Sequence, residues 1–173
     1  MRTIRFIGAC LIILASGAAG ILMARSYMER PKNLRFIQTA LQALETEIHY
    51  SRTSLPEACM RIAKHSKHPI NTFFHVFGEN LQSGDGLSAK EAWDKALEVL
   101  RDAGFIRDDV ERISTLGNAL GRSDAEDQVK HLVLLQKQLA ELIARSEEEK
   151  DQNVLLWNCL GFCVGALVVI LLF

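Results

Sequence analysis

What the chain lacks narrows its class before any motif is read. It has only four cysteines, Cys10, Cys59, Cys159 and Cys163, and three of them lie in its apolar ends. With one left in the middle, no disulfide framework is available to a domain there. There is no surplus of basic charge either, because 20 Lys and Arg stand against 21 Asp and Glu. Phosphate binding needs clustered Lys and Arg, so this balance excludes nucleic acid as a partner. No nucleophile elbow, P-loop, HExxH or dinucleotide fingerprint occurs. No stretch alternates apolar and polar residues as a half-buried strand does, and long β-branched runs are missing. The class that remains is all-α and without recognisable catalytic equipment.

Charge is missing altogether from two stretches. Phe6 to Ala24 is 19 residues without a charged side chain, and Val154 to Phe173 is 20 more. A helix of that length rises about 30 Å, the thickness of a bilayer core, so each is predicted to be a transmembrane helix. Tyr27 and Trp157 lie near the inner ends, where amphipathic rings favour the headgroup layer. The chain then divides into a short tail (1–5), a first span (6–24), a polar domain (25–153) and a second span (154–173). The polar domain holds 18 basic and all 21 acidic residues, a net charge of −3. It is large enough to bury a core, and its regular apolar spacing excludes disorder.

The first run has a rival reading as a signal peptide, with Arg2 and Arg5 ahead of it and Ala18-Ala19-Gly20 as a cleavage mimic. Ile7-Gly8-Ala9-Cys10 resembles a lipoprotein box only faintly, since the apolar stretch follows the cysteine instead of preceding it. An uncleaved anchor is the preferred reading. Seven basic residues (Arg25, Arg30, Lys32, Arg35, Lys137, Arg145, Lys150) flank the spans on the domain side, against Arg2 and Arg5 outside. Cytoplasmic flanks carry the excess of Lys and Arg, so the domain is expected in the cytoplasm. Ser16-xxx-Gly20 and Gly161-xxx-Gly165 are candidate helix-packing faces, although glycine is common in membrane helices anyway.

The middle reads as a six-helix bundle. Leu34, Ile37, Leu41, Leu44 and Ile48 form one apolar stripe over Lys32–Ser51, with Pro31 suited to the first helical position. Three capping boxes follow at Ser54/Glu57, Ser88/Glu91 and Ser123/Glu126, each opening an apolar-periodic stretch. The last of these carries Leu132, Leu135, Leu139 and Leu142 and extends toward Glu147-Glu148-Glu149-Lys150. Between them lie a helix after Pro69, with Phe73, Phe74 and Phe77, and one after Gly104, with Val110, Ile113, Leu116 and Leu120. The Ser83-Gly84-Asp85-Gly86 turn ends the former, and Gly117 and Gly121 bracket the end of the latter.

No catalytic, cofactor-binding or metal-ligating residue is assigned, and no cofactor is expected. Asp108-Asp109-Glu111 and Asp124-Glu126-Asp127 sit at helix starts, where negative charge offsets exposed N–H groups. Paired-carboxylate chemistry or a cation site is their less favoured reading. His65 and His68 have no Cys or acidic cluster beside them and read as a solvated, Lys-rich helix end. His49 and His75 fall within helices without an Asp or Ser at catalytic spacing. The Phe73-Phe74-Phe77 group reads as core, with a docking surface as the alternative.

An ordered set of short motifs then carries a resemblance. Glu29-Arg30-Pro31-Lys32, the run Ala40-Leu41-Gln42-Ala43-Leu44-Glu45-Thr46-Glu47-Ile48 and Tyr50 resemble the stage III sporulation protein AB family. So do Leu55-Pro56-Glu57-Ala58, Glu91-Ala92-Trp93, and Leu116-Gly117 repeated at Leu120-Gly121 with Asp124 and Gln128 after it. Ser54 departs from the proline expected before the Leu-Pro-Glu-Ala motif, and supplies a capping serine instead. The resemblance spans essentially the whole chain and implies a role in endospore formation, in the membrane complex connecting mother cell and forespore. It implies a domain similar to the helical cytoplasmic domains of type II secretion and type IV pilus platform proteins. The implied function is a non-catalytic platform, a possible homo-oligomer, beside the other stage III sporulation proteins including the AA ATPase. Two alternatives stand: a channel-ring component with the domain between two membranes, and a membrane-bound sensor or enzyme using Asp108, Asp109, Asp124 and Asp127.

Overall fold

The computed structural model describes the backbone of residues 2–51, 53–83, 86–120 and 124–172, with side chains except at 2–10, 13, 26, 158, 162, 165, 166, 171 and 172. Every regular element among the described residues is helical. In order these are α1 (Arg2–Thr46), a π-helical turn (Glu47–Ser51), α2 (Leu55–His65), α3 (Ile70–Gln82), α4 (Ala89–Arg101), α5 (Arg107–Ser114), a 3-10 turn (Thr115–Asn118) and α6 (Ala125–Leu172).

The all-α expectation agrees with this, but the expected division does not. Six bundle helices and two separate flanking ones would make eight, whereas α1 and α6 each run through the predicted junction without a break. The reason is local. Arg25-Ser26-Tyr27-Met28-Glu29-Arg30 contains no glycine or proline, and ending a helix there would orphan four carbonyls. Pro31 forfeits one N–H bond, a smaller loss, and lies inside α1 instead of at a helix start. Residues 145–153 likewise contain no breaker.

Among the described residues no helix is long and apolar enough to cross a membrane. The two predicted transmembrane helices are therefore not found as such. Parts of both runs, the side chains of residues 6–10, 13, 158, 162, 165, 166 and 171–173, lie outside the described residues.

The chain separates into two compact units, Met1–Pro31 with Arg145–Phe173, and Lys32–Ala144. Inside the first, the ends of α1 and α6 meet at Gly20 and Gly161. A Cβ on Gly20 would stand 2.6 Å from the Trp157 carbonyl oxygen, and one on Gly161 would stand 2.9 Å from that of Ser16. Backbones that close admit no side chain, so the expected glycine contact is present between Ser16-xxx-Gly20 and Gly161. Gly165 is among the residues whose side-chain surroundings are not described. Arg30 and Glu149 add an ion pair at 2.5 Å between the same two helices.

The second unit has one core. Leu34, Ile37, Leu41 and Leu44 of α1 are buried as the stripe predicts, while Ile48 falls in the π-turn and is only partly buried. Leu132, Leu135, Leu139 and Leu142 of α6 are buried too. At the centre, the Trp93 indole meets the rings of Phe73, Phe74 and Phe77 edge-on at centroid distances of 4.8, 6.4 and 4.9 Å. Its Nε1–H donates to the Ile113 carbonyl at 3.1 Å, so the one polar atom on the ring is satisfied. All three phenylalanines are fully buried, which makes them core and removes them as a docking surface.

Candidate interaction surfaces

The helix starts consume the acidic residues that might have suggested chemistry. At Ser88 the full capping box forms: the Glu91 N–H donates to Ser88 Oγ, and Glu91 Oε2 accepts the Ser88 N–H at 2.8 Å. The Ser88 N–H and the Ser88 hydroxyl both donate to the Glu91 carboxylate and hold it below its ordinary range. Ser54 takes the cap position of α2 but makes no side-chain cap bond, and the Glu57 carboxylate pairs with Arg61 at 3.3 Å instead of closing a box. The third expected box falls partly outside the described residues, at Ser123. The cap observed at α6 is Asp124, whose Oδ1 accepts the Asp127 N–H at 2.8 Å.

The buried Asp109 accepts the Ile106 N–H at 3.2 Å, and Asp108 pairs with Arg112 at 3.1 Å. Asp127 faces His131 at 3.8 Å. Asp109 and Asp124 thus take the helix-start role expected of the clusters, while Asp108 and Asp127 make side-chain pairs one turn on. Helix α5 itself is shorter than predicted: the chain tightens to 3-10 geometry at Thr115, so Leu116 reaches the core from a turn. Gly117 is there for space, since a Cβ would lie 2.8 Å from Trp93 Cδ1. Gly121 lies outside the described residues.

The histidines are separately engaged. His65 Nδ1 lies 2.9 Å from the Arg61 carbonyl, His68 Nδ1 lies 3.4 Å from Thr72 Oγ1, and His75 faces Glu79 at 3.2 Å. His49 stacks edge-on against Tyr50 in the π-turn. Among the described residues no group of three or more His, Cys, Asp or Glu is placed to hold a metal. Cys59 is buried in the core, and burial pushes its thiol up to about 12, so it stays protonated and unreactive.

Surfaces remain. The π-turn, a feature that often marks functional sites, leaves Tyr50 78% exposed. A groove of about 640 Å³ between α4 and α5 is lined by Arg101, Phe105, Arg107, Val110, Glu111 and Ser114, next to the exposed Ile106. A second, of about 610 Å³, runs between α2 and α3. In the other unit Leu11, Leu14, Ile21, Leu22, Leu155, Leu156, Leu160, Leu167 and Ile170 all point outward. In the sequence Arg30 reads as a flanking positive charge and as part of a family motif, and its pairing with Glu149 does not show there. Their separation by 119 positions left no local signal of it.

Three comparisons lead to the same family. The family model described as stage III sporulation protein AB matches residues 5–173. Stage III sporulation protein AB of Bacillus subtilis (strain 168) is 35% identical over 170 residues, covering 98% of this chain and 99% of that protein. A solved structure of stage III sporulation protein AB superimposes with a TM-score of 0.67 at 35% identity, covering 72% of this chain and 98% of that one.

Proposed function

The chain belongs to the stage III sporulation protein AB family, and from that premise we propose that it is a non-catalytic scaffold subunit of the sporulation membrane complex. Both ends would be embedded in the bilayer, with the bundle as the platform that meets other stage III proteins, the AA ATPase among them. The observation that carries the membrane part is the outward-facing apolar surface of the first unit. Leu14, Leu22, Leu155, Leu167 and Ile170 are each more than 60% exposed, an arrangement that water penalises and lipid does not. The two uncharged runs of 19 and 20 residues contain these positions. In the bundle, the acidic clusters are taken up by caps and ion pairs, which favours assembly over catalysis.

The domain is read as cytoplasmic from the seven-to-two distribution of basic flanking residues, and as lying on the mother-cell side, facing the forespore, from the family resemblance. The likeness to secretion-system platform domains is part of the same proposal. Cysteine introduced at Gly86, in a cysteine-free background, tests it in sporulating cells with a membrane-impermeant maleimide. Protection until lysis is expected. Labelling in cells whose inner compartments stay sealed would place the domain between the membranes and favour the channel-ring alternative.

A further inference from the structure

Charge along the bundle is strongly uneven. From Ala58 to Gly78 there is no acidic residue, yet the stretch carries Arg61, Lys64, Lys67 and three of the five histidines. From Glu79 to Ala144, by contrast, 13 acidic residues stand against 8 basic ones. The acid-free stretch covers α2 after Glu57, the turn that follows and α3 up to Glu79. Lys64 and His65 fall in the last turn of α2, where cations offset the exposed carbonyls. That role does not extend to Lys67, His68 and His75, which lie beyond the end of α2.

The groove between the two helices lies within this stretch. Met60 and Ala63 form an apolar side, Asn71 and Thr72 a polar one, and Lys64 and His75 complete the lining. The acidic groups nearest it are already engaged: Glu47 and Glu57 by Arg61, and Glu79 by His75. Lys67 is held over the Phe36 ring at 5.6 Å. Lys64 makes no hydrogen bond or ion pair among the described residues, so its ammonium remains available.

We propose that the α2–α3 groove is a docking surface for an acidic, amphipathic helical segment of a partner protein. This deepens the scaffold reading and rests on it. Apolar side chains of the segment would enter against Met60, whose flexible thioether adapts to varied shapes, while its carboxylates would meet Lys64 and Lys67. A segment of that charge is repelled by the acidic remainder of the bundle, so complementarity fixes where it lands. The apolar side of the groove favours a protein segment over a lipid headgroup layer, which needs charge alone.

The test uses the full chain in detergent and a fluorescent helical peptide with Leu and Glu at helical spacing, beside a counterpart with every Glu replaced by Gln. The acidic peptide is expected to bind, the Gln peptide to bind at least about tenfold more weakly, and added salt to weaken the former. The K64E/K67E variant should lose about tenfold in affinity or more while still unfolding cooperatively, and K64Q, which leaves Lys67 over the Phe36 ring, should lose part of the affinity. Equal binding of the two peptides, or full binding by K64E/K67E, overturns the proposal. So does concentration-dependent self-association abolished by K64E/K67E, which assigns the groove to a second copy. Protection of Lys64 from an amine-reactive reagent in anionic but not zwitterionic nanodiscs, without peptide binding, assigns it to lipid instead. Complex assembly and sporulation are scored separately: a K64E/K67E strain that sporulates normally loses this surface and leaves the scaffold role standing.

Discussion

The indole of Trp93 lies so close to Gly117 that a methyl group on residue 117 would meet its Cδ1 at 2.8 Å and its Cγ at 3.2 Å. Two of the short motifs of the sequence, Glu91-Ala92-Trp93 and Leu116-Gly117, are thus one packing unit. The glycine makes room for the largest side chain of the core, and the Ile113 carbonyl fixes that side chain by accepting its N–H.

Gly117→Ala is therefore expected to destabilise the bundle by about 1–3 kcal/mol through overpacking. Trp93→Ala should cost about 3–5 kcal/mol. Chemical denaturation of the purified chain measures both. A neutral Gly117→Ala would show that the indole can move aside. In the double variant G117A/W93F the smaller ring should recover part of the Gly117→Ala loss.

Ser88→Ala should cost about 1 kcal/mol, because it removes the acceptor for an otherwise orphaned N–H. Ser54→Ala is expected to cost measurably less, since Ser54 makes no side-chain cap bond. Equal losses in the two variants, read from urea unfolding, would contradict the observed asymmetry.

The depressed Glu91 carboxyl has a definite sign in pH. Its folded-state value lies below that of the unfolded chain, so its contribution is fully present above the unfolded value, near 4.3. It is lost as pH falls through the folded value. Glu91→Gln should flatten the acid limb of a stability-versus-pH curve in that range and change little at neutral pH.

Cys59 should resist maleimide in the folded chain and react once denaturant opens the core, because its thiol is both buried and held protonated. Mass spectrometry after a timed pulse of reagent distinguishes the two states. Rapid labelling without denaturant would mean that α2 opens locally.

Gly161→Val is expected to force α1 and α6 apart within their unit, since the Ser16 carbonyl and the Gly20 Cα leave no space for a side chain. The loss should show as faster proteolysis of the terminal segments in detergent, with the bundle core unaffected. Gly86→Ala, where no atom lies within 4 Å of the new Cβ, serves as the comparison; any cost there comes from its positive φ alone.

Periodicity made most of the core legible. Leu34, Ile37, Leu41 and Leu44 of α1 and Leu132, Leu135, Leu139 and Leu142 of α6 are buried as their spacing requires, because burial of an apolar face is what the pattern encodes. Helix ends were harder to read. Ser88 and Ser54 look alike in sequence, but Arg61 competes for Glu57 and only one box closes. Pro31 reads as a start signal, yet neighbours with high helix tolerance carry α1 through it. The Thr115 tightening and the π-turn at Glu47 have no local marker in the sequence, for they adjust helix phase to packing. The α2–α3 surface was half visible: its Lys-rich end was noted, but its groove depends on two helices meeting side by side.

The two tryptophans divide between the two units, with Trp93 at the centre of the bundle core and Trp157 in the terminal helix pair. A Trp157→Phe chain would thus carry a single tryptophan, shielded from water by three phenylalanines. Its emission should be blue-shifted and should move to the red only when the bundle opens. The complementary Trp93→Phe chain would report the environment of the other unit by its own light, including transfer from detergent to lipid.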